Sequence, residues 1–186
     1  MPSLDDKTIR KSLITRLSKL SKAPGAILEE LRVHNGNAIA DVVTVHTFAH
    51  CYEIKGESDS IQRILRQSRY YDVAFRKTTL VTTDKQIERA RRFAPPYWGI
   101  MCASENSGAV KLRYVRSSKP SPAFDKKLAL LTLWRPELID LAISAIPLTH
   151  KLDKLNRAQL SELLALHLDS NEVVKYIGDK LILRKR

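Results

Sequence analysis

The spacing of apolar residues alternates between helical and extended periods along the chain. Repeats of three and four positions predict amphipathic helices, whereas short β-branched runs predict strands. Two such runs, residues 39–45 and 51–55, predict a hairpin, and residues 58–75 predict the helix that follows it. The predicted helices cover residues 5–20, 26–33, 58–75 and 85–93 and four segments after residue 122, and the predicted strands cover residues 39–45, 51–55, 78–83, 97–103 and 109–115.

The order of these elements predicts an α/β fold. A helix between the second and third strands permits a right-handed crossover between parallel strands, so we expect a mixed central sheet with helices on both faces. Residues 117–122, with the sequence SSKPSP, are the one linker-like stretch. The chain is therefore predicted to consist of a core over residues 1–116, this linker, and a helical C-terminal region over residues 123–186.

Composition narrows the class of partner and the type of site. The 186 residues include 32 Lys and Arg and 20 Asp and Glu, for a formal net charge of +12. Such an excess favours a polyanion, either nucleic acid or an anionic membrane surface. Two cysteines exclude a disulfide framework and a four-cysteine zinc site. The N-terminus is too charged for a signal peptide and no apolar run reaches the ~18 residues of a membrane helix, so we expect a cytoplasmic protein.

Three ionisable residues of the predicted hairpin point to metal chemistry. Glu53 and Lys55 are two positions apart on one strand, so their side chains share a face. Antiparallel pairing can bring Asp41 of the neighbouring strand close to Glu53. Two carboxylates beside a lysine suit a hard cation such as Mg²⁺, which polarises a phosphoryl group and activates a bound water. Lys55 can orient that water or neutralise charge that develops on the phosphate.

The order Ala40-Asp41 and then Glu53-Ile54-Lys55 resembles the D…ExK signature of the PD-(D/E)XK nuclease superfamily. The resemblance implies a restriction-endonuclease-like mixed sheet flanked by helices, and Mg²⁺-dependent hydrolysis of DNA in which Mn²⁺ can substitute. It also implies that Asp41, Glu53 and the Ile54 carbonyl hold the metal and that Lys55 is catalytic. Ala40 stands where the nominal motif has proline.

The helix after the hairpin extends the resemblance. Gln67 and Tyr71 match the QxxxY motif of RecB-like and exonuclease-like branches, and residues 30–98 are similar to an uncharacterised bacterial family with a D…YEIK…QxxxY core. The resemblance implies that both side chains orient the catalytic lysine, the metal ligands or a nearby phosphate. It also implies an acidic metal ligand on a helix before the hairpin, for which Glu30 fits best and Glu29 is the alternative.

Basic and aromatic residues give two further expectations. Arg63, Arg66 and Arg69, on the helix beside the predicted metal site, are candidate contacts to the phosphate backbone of DNA. A solvated basic face is the alternative. Aromatic residues near basic ones can also stack on single-stranded bases, but the favoured interpretation places Trp98 and Trp134 in the core.

Other functions stay open at the level of the sequence. The same fold could bind DNA or a partner protein without cutting, and the apolar C-terminal helices could form a homodimer or a larger assembly. Glu53 and Lys55 could be a surface salt bridge, and Asp41 could end a turn. Metal dependence separates these functions, because DNA binding by counterion release requires only charge.

Overall fold

The computed structural model describes residues 4–106, 108–147 and 152–184. Within these ranges, six strands form one sheet whose spatial order follows the sequence. None of the helices in this part of the chain has the length and apolar character that a membrane crossing requires. The strands are β1 (Ala26–Val33), β2 (Ala38–Val45), β3 (Ala49–Lys55), β4 (Lys77–Thr83), β5 (Gly99–Asn106) and β6 (Ala109–Arg116), and the helices are α1 (Asp6–Ser18), α2 (Ile64–Ala74), α3 (Ile87–Phe93), α4 (Lys126–Leu130), α5 (Arg135–Ala145), α6 (Arg157–His167) and α7 (Ser170–Leu183).

The sheet is mixed, as the order of predicted elements indicated. Its outer pairs β1–β2, β2–β3 and β5–β6 are antiparallel, whereas β3–β4 and β4–β5 are parallel. The predicted hairpin is β2–β3, and α2 makes the predicted crossover to β4. The α/β fold class, a mixed central sheet flanked by helices and followed by a helical C-terminal region, is confirmed.

Residues 26–33 form the edge strand β1, so the prediction of a helix there is wrong. The segment pairs with β2 at every position except Glu30, and Ala26 and Val33 at its ends are fully buried. Pairing and burial outweigh the helical preference of the sequence LEELR. Consequently Glu29 and Glu30 lie on a strand rather than on a helix.

Helices cover both faces of the sheet. On one face, α1 packs through Ile9, Leu13 and Leu17 against apolar residues of the sheet. On the other face, α2, α3 and the C-terminal helices share one larger core. That core is continuous across residues 117–122, and the division of the chain at this linker stays a prediction.

The two tryptophans have opposite environments. Trp98 is fully buried, as predicted, and its Nε1 donates a hydrogen bond to Asp72 at 2.6 Å. Trp134 is 60% exposed, so its predicted place in the core is wrong. The neighbouring Leu133 takes the core position, and the Trp134 ring instead packs at the surface, 4.1 Å from the guanidinium carbon of Arg184.

Candidate functional site

The candidate site lies where β2 and β3 stop pairing. Val42 opposite Tyr52 is the last pair, and the same register extended by one residue places Asp41 opposite Glu53. Here the backbones separate, and Asp41 Oδ2 accepts a hydrogen bond from the backbone N–H of Ile54 at 2.7 Å. The opening of the hairpin therefore brings the two predicted carboxylates to one cleft.

Glu53 and Lys55 form a buried ion pair on the same face of β3. Their side chains are 1% and 8% exposed, and Lys55 Nζ contacts Glu53 Oε1. This burial excludes a plain surface salt bridge. Glu53 Oε2 is also buried, yet it has no hydrogen-bond partner among the described residues. Because an unpartnered buried oxygen of a carboxylate is costly, this atom can accept a cation or a donor.

Asp41 lies in an environment that disfavours its charge. Burial and, next, the nearby Glu53 carboxylate raise the pKa of Asp41 to about 7, against the Ile54 N–H and Lys55, which lower it. Two carboxylates that oppose each other's ionisation indicate a site short of positive charge. A divalent cation would relieve this repulsion.

Arg10 of α1 lies at the mouth of the site, although nothing in the sequence indicated it. Its Nη2 lies 3.1 Å from Asp6 Oδ2 and 3.3 Å from Asp41 Oδ1. Its Nη1 lies 3.2 Å from Glu30 Oε1 and 3.9 Å from Glu29 Oε2. The guanidinium is therefore surrounded by four carboxylates and supplies part of the missing positive charge.

The loop after β3 holds the end of that strand against the start of α1. A Cβ atom on Gly56 would lie 3.0 Å from the backbone nitrogen of Asp6, so glycine permits this close approach. The buried Gln86 donates from Nε2 to three carbonyls of the loop, at 2.8, 3.1 and 2.9 Å. These contacts fix the backbone directly after Lys55, and Gln86 is a second residue that no sequence pattern indicated.

Helix α2 brings Gln67 to the cleft and Tyr71 beneath it. The hydroxyl of the buried Tyr71 donates to the Ile39 carbonyl at 2.7 Å, two residues before Asp41. Burial and the nearby Glu53 raise the pKa of Tyr71 far above its ordinary value, so this donor stays protonated. Gln67 Oε1 is buried and, within the described ranges, has no hydrogen-bond partner. Tyr71 therefore holds β2 in place, while Gln67 has an unused acceptor.

The three candidate arginines of this region have different positions. The cleft has a volume of about 600 Å³, and Arg63 lines it together with the acidic residues. Arg66 and Arg69 are exposed outside it, and Arg69 donates to the hydroxyl of Tyr70 at 2.8 Å. Of the three, Arg63 is thus the one placed to contact a phosphate at the site.

Glu30 reaches the cleft from β1, so the expected placement of this acid on a helix is wrong. Its backbone is left-handed, with φ of 53°, which is uncommon for a residue other than glycine and is often found at functional sites. The β1–β2 register would place Glu30 opposite Asp41, but these two residues do not pair. The side chain is 72% exposed and is closer to Arg10 than that of Glu29 is.

The donor set fits a magnesium-like ion better than a soft metal. In the part of the chain that the structure describes, no three His, Cys, Asp or Glu side chains are arranged to hold a metal ion by themselves. The available donors are Asp41, the unpartnered Oε2 of Glu53 and backbone oxygen. Mg²⁺ is usually bound through one or two carboxylates and keeps several waters, so this small set suits it.

Comparison with known proteins identifies the family. A family model described as bacteriophage P4 protein cII matches residues 2–180. Protein cII of Enterobacteria phage P4 is 25% identical over 175 residues, which are 94% of this chain, and the chain spans 65% of the length of that relative. No solved structure matches the chain. Because the family model covers nearly all of the sequence, the chain belongs to the bacteriophage P4 protein cII family.

Proposed function

We propose that this protein is a metal-dependent deoxyribonuclease of the PD-(D/E)XK type. The observation that carries the proposal is the convergence of Asp41, Glu53 and Lys55 in one cleft, at the point where the hairpin opens. Two carboxylates and a lysine are the groups that metal-assisted hydrolysis of a phosphodiester uses. The net charge of +12 suits a polyanionic substrate.

Asp41 and Glu53 would hold Mg²⁺, with the Ile54 carbonyl as a further ligand and Mn²⁺ as a substitute. When bound, the ion would polarise the phosphoryl group and lower the pKa of a coordinated water. Lys55, which the ion pair with Glu53 holds in the cleft, would orient the attacking water or neutralise charge on the phosphate. Glu30 of β1 would complete the set of metal ligands or act on the metal through a water.

Further side chains would act by positioning. Tyr71 keeps the end of β2 in place through the Ile39 carbonyl, and the Oε1 of Gln67 would accept a hydrogen bond from Lys55 or a water. Arg63 in the cleft wall would bind a phosphate of the DNA backbone.

A DNA-binding or partner-binding module without catalysis is the second candidate function. Both oxygens of Asp41 already have partners, the Ile54 N–H and Arg10, and this arrangement satisfies the carboxylate without a metal. A module of this kind would bind DNA equally well in chelator and leave it intact in Mg²⁺.

The two functions differ in a cleavage assay on linear and circular DNA, single- and double-stranded, in Mg²⁺, in Mn²⁺ and in chelator. Lys55→Gln tests the site, and Asp179→Asn is the matched control because Asp179 forms an exposed ion pair with Lys175 at 2.7 Å. The nuclease proposal predicts metal-dependent cutting by the wild type and the control variant, with loss in Lys55→Gln. DNA that is bound but intact under every condition would overturn it and favour the binding module.

A further inference from the structure

A second groove lies beside the cleft, between β1 and the C-terminal helices. It has a volume of about 570 Å³. Glu30 and Gly36 line both the groove and the cleft, so the two are adjacent. A chain of nucleotides with one phosphate at the candidate site could therefore continue into this groove.

Trp134 supplies an aromatic surface in the groove. One face of its ring packs against the guanidinium of Arg184, which is itself held by an ion pair with Glu137 and a 3.2 Å hydrogen bond to the Thr132 carbonyl. These contacts hold the ring while 60% of the residue stays exposed. An exposed and immobilised indole suits stacking with a nucleobase, which requires an unpaired base.

Three arginines line the groove that contains this tryptophan. Arg157 donates from Nε to the Leu133 carbonyl at 2.8 Å and forms no ion pair with the residues that the structure describes. Burial and, next, the neighbouring Arg184 lower the pKa of Arg157, against the nearby Glu137, which raises it. The exposed Arg32 of β1 lines the same groove.

The groove also has an acidic border, formed by Glu29 and Glu30. Both carboxylates face Arg10, which lies within 4 Å of each of them. Because Arg10 also contacts Asp6 and Asp41, it compensates this acidic border only in part. The other charged residues that line the groove are basic, namely Arg32, Arg157 and Arg184. Basic groups beside an exposed aromatic ring are the chemistry that binds single strands.

We propose that this groove binds a single-stranded segment of DNA next to the phosphate that is cut, with a base on Trp134 and phosphates on Arg157 and Arg32. The choice of DNA rests on the proposed nuclease function. The inference adds the substrate class, which is DNA with an unpaired stretch beside the cleavage position.

The test is the binding of fluorescent oligo(dT) of roughly 20 nucleotides, longer than typical single-strand sites, compared with a blunt duplex of equal length. Binding is measured by anisotropy in chelator, so cleavage plays no part. Trp134→Ala should weaken binding of the single strand by at least about fivefold, and Trp134→Phe should restore part of it. Tyr114→Ala is the control, since Tyr114 is an exposed aromatic residue on β6.

Two further readouts separate the groove from the cleft. Because Trp98 is buried, quenching of tryptophan fluorescence by oligo(dT) should report Trp134 and should disappear in Trp134→Phe. Arg157→Ala should weaken single-strand binding and lower the slope of log affinity against log salt by about 0.7.

The outcomes distinguish this inference from the nuclease proposal. Unchanged affinity for oligo(dT) in Trp134→Ala, with no quenching in the wild type, would overturn the groove even if DNA is cut in Mg²⁺. Loss of single-strand binding in Trp134→Ala would support the groove even if the wild type never cuts DNA. The absence of cutting would overturn the nuclease proposal and leave the groove supported. Equal losses for single strand and duplex in Trp134→Ala would contradict base stacking.

Discussion

Two buried acidic sites lie on the same side of the sheet and differ in how completely they are satisfied. Asp72 of α2 accepts hydrogen bonds from the hydroxyl of Tyr97 at 2.7 Å and from Nε1 of Trp98 at 2.6 Å, so both its oxygens have neutral donors. Glu53 pairs one oxygen with Lys55 and leaves the other without a partner. Asp72 therefore has a hydrogen-bond donor for each of its oxygens, whereas Glu53 has one oxygen that can bind a ligand.

This difference extends to the surroundings of the two sites. Four buried polar atoms that lack a partner in the described ranges lie at or beside the cleft, and they are Asp6 Oδ1, Arg10 Nε, Glu53 Oε2 and Gln67 Oε1. Native proteins leave few such atoms, so a cluster of them indicates a place that binds water, metal or substrate. The comparison teaches that incomplete satisfaction, rather than burial of an acid alone, marks the candidate site.

The largest expected effect concerns Lys55. Lys55→Ala should lower metal-dependent cleavage at least about a hundredfold, because the cation no longer acts on the phosphate or the water. It should also destabilise the fold by about 3–5 kcal/mol, since it leaves Glu53 buried and unpaired. Cleavage rates and urea unfolding measure the two effects.

A double variant separates activity from stability at this pair. Glu53→Gln combined with Lys55→Met removes both buried charges, so it should recover much of the lost stability without recovering cleavage. Cleavage at the wild-type rate by either variant would contradict the role assigned to the pair.

A second effect should appear in the dependence of stability on pH without metal. The pKa of Asp41 is about 7 in the folded protein against an ordinary 3.8, so between these values the folded chain retains a proton that the unfolded chain has lost. The stability from Asp41 is therefore full below about pH 4 and is lost as pH rises toward 7. Asp41→Asn should remove this component from urea unfolding measured across that range.

The exposed Asp179 provides the control for this pH dependence. Asp179→Asn should keep the wild-type slope, because its side chain is 54% exposed. An equal slope of unfolding free energy against pH in the wild type and in Asp41→Asn would show that Asp41 titrates near its ordinary pKa. That result would contradict the account in which the site lacks positive charge.

A smaller effect is expected at the satisfied acid. Asp72→Ala leaves the buried Trp98 Nε1 and the Tyr97 hydroxyl without their acceptor, so the free energy of unfolding should fall by about 2 kcal/mol. Cleavage per folded molecule should change little, because Asp72 lies outside the cleft. A loss of cleavage in Asp72→Ala with unchanged stability would contradict the structural role assigned to Asp72.

The smallest effect should distinguish the three arginines of the α2 region. Arg63→Ala should weaken DNA binding severalfold, because this side chain lines the cleft, whereas Arg66→Ala and Arg69→Ala should have weaker effects. Anisotropy titrations in chelator at two salt concentrations compare the three variants. Equal losses would favour a diffuse basic face.

Local sequence patterns were sufficient for the elements around the site. Alternation along β3 predicts that Glu53 and Lys55 share a face, and antiparallel pairing permits Asp41 to lie close to Glu53. The register that brings these residues to one cleft comes from the structure. The sequence of β1 was misleading, since LEELR favours a helix and becomes a strand through pairing with β2. Local propensity carries no information about such a partner.

Long-range packing determines the features that the sequence did not reveal. Arg10 meets Asp41 across 31 positions because α1 packs over the opened hairpin. Trp134 is exposed because Leu133 takes the core position and Arg184, from the end of α7, covers one ring face. No sequence motif marks either contact. Arg10 therefore became a candidate only in the folded chain, and Trp134 was assigned to the core.

The most direct test of the central claim is the cleavage rate of one DNA substrate in Mg²⁺ for the wild type and Glu53→Gln, at matched folded fractions, with a chelator lane for each. Glu53→Gln keeps the size of the side chain and removes the carboxylate whose Oε2 lacks a partner. The account predicts cutting by the wild type in Mg²⁺, none in chelator, and a loss of at least about a hundredfold in Glu53→Gln. Equal cutting by the two proteins, or none by the folded wild type in any metal, would contradict it.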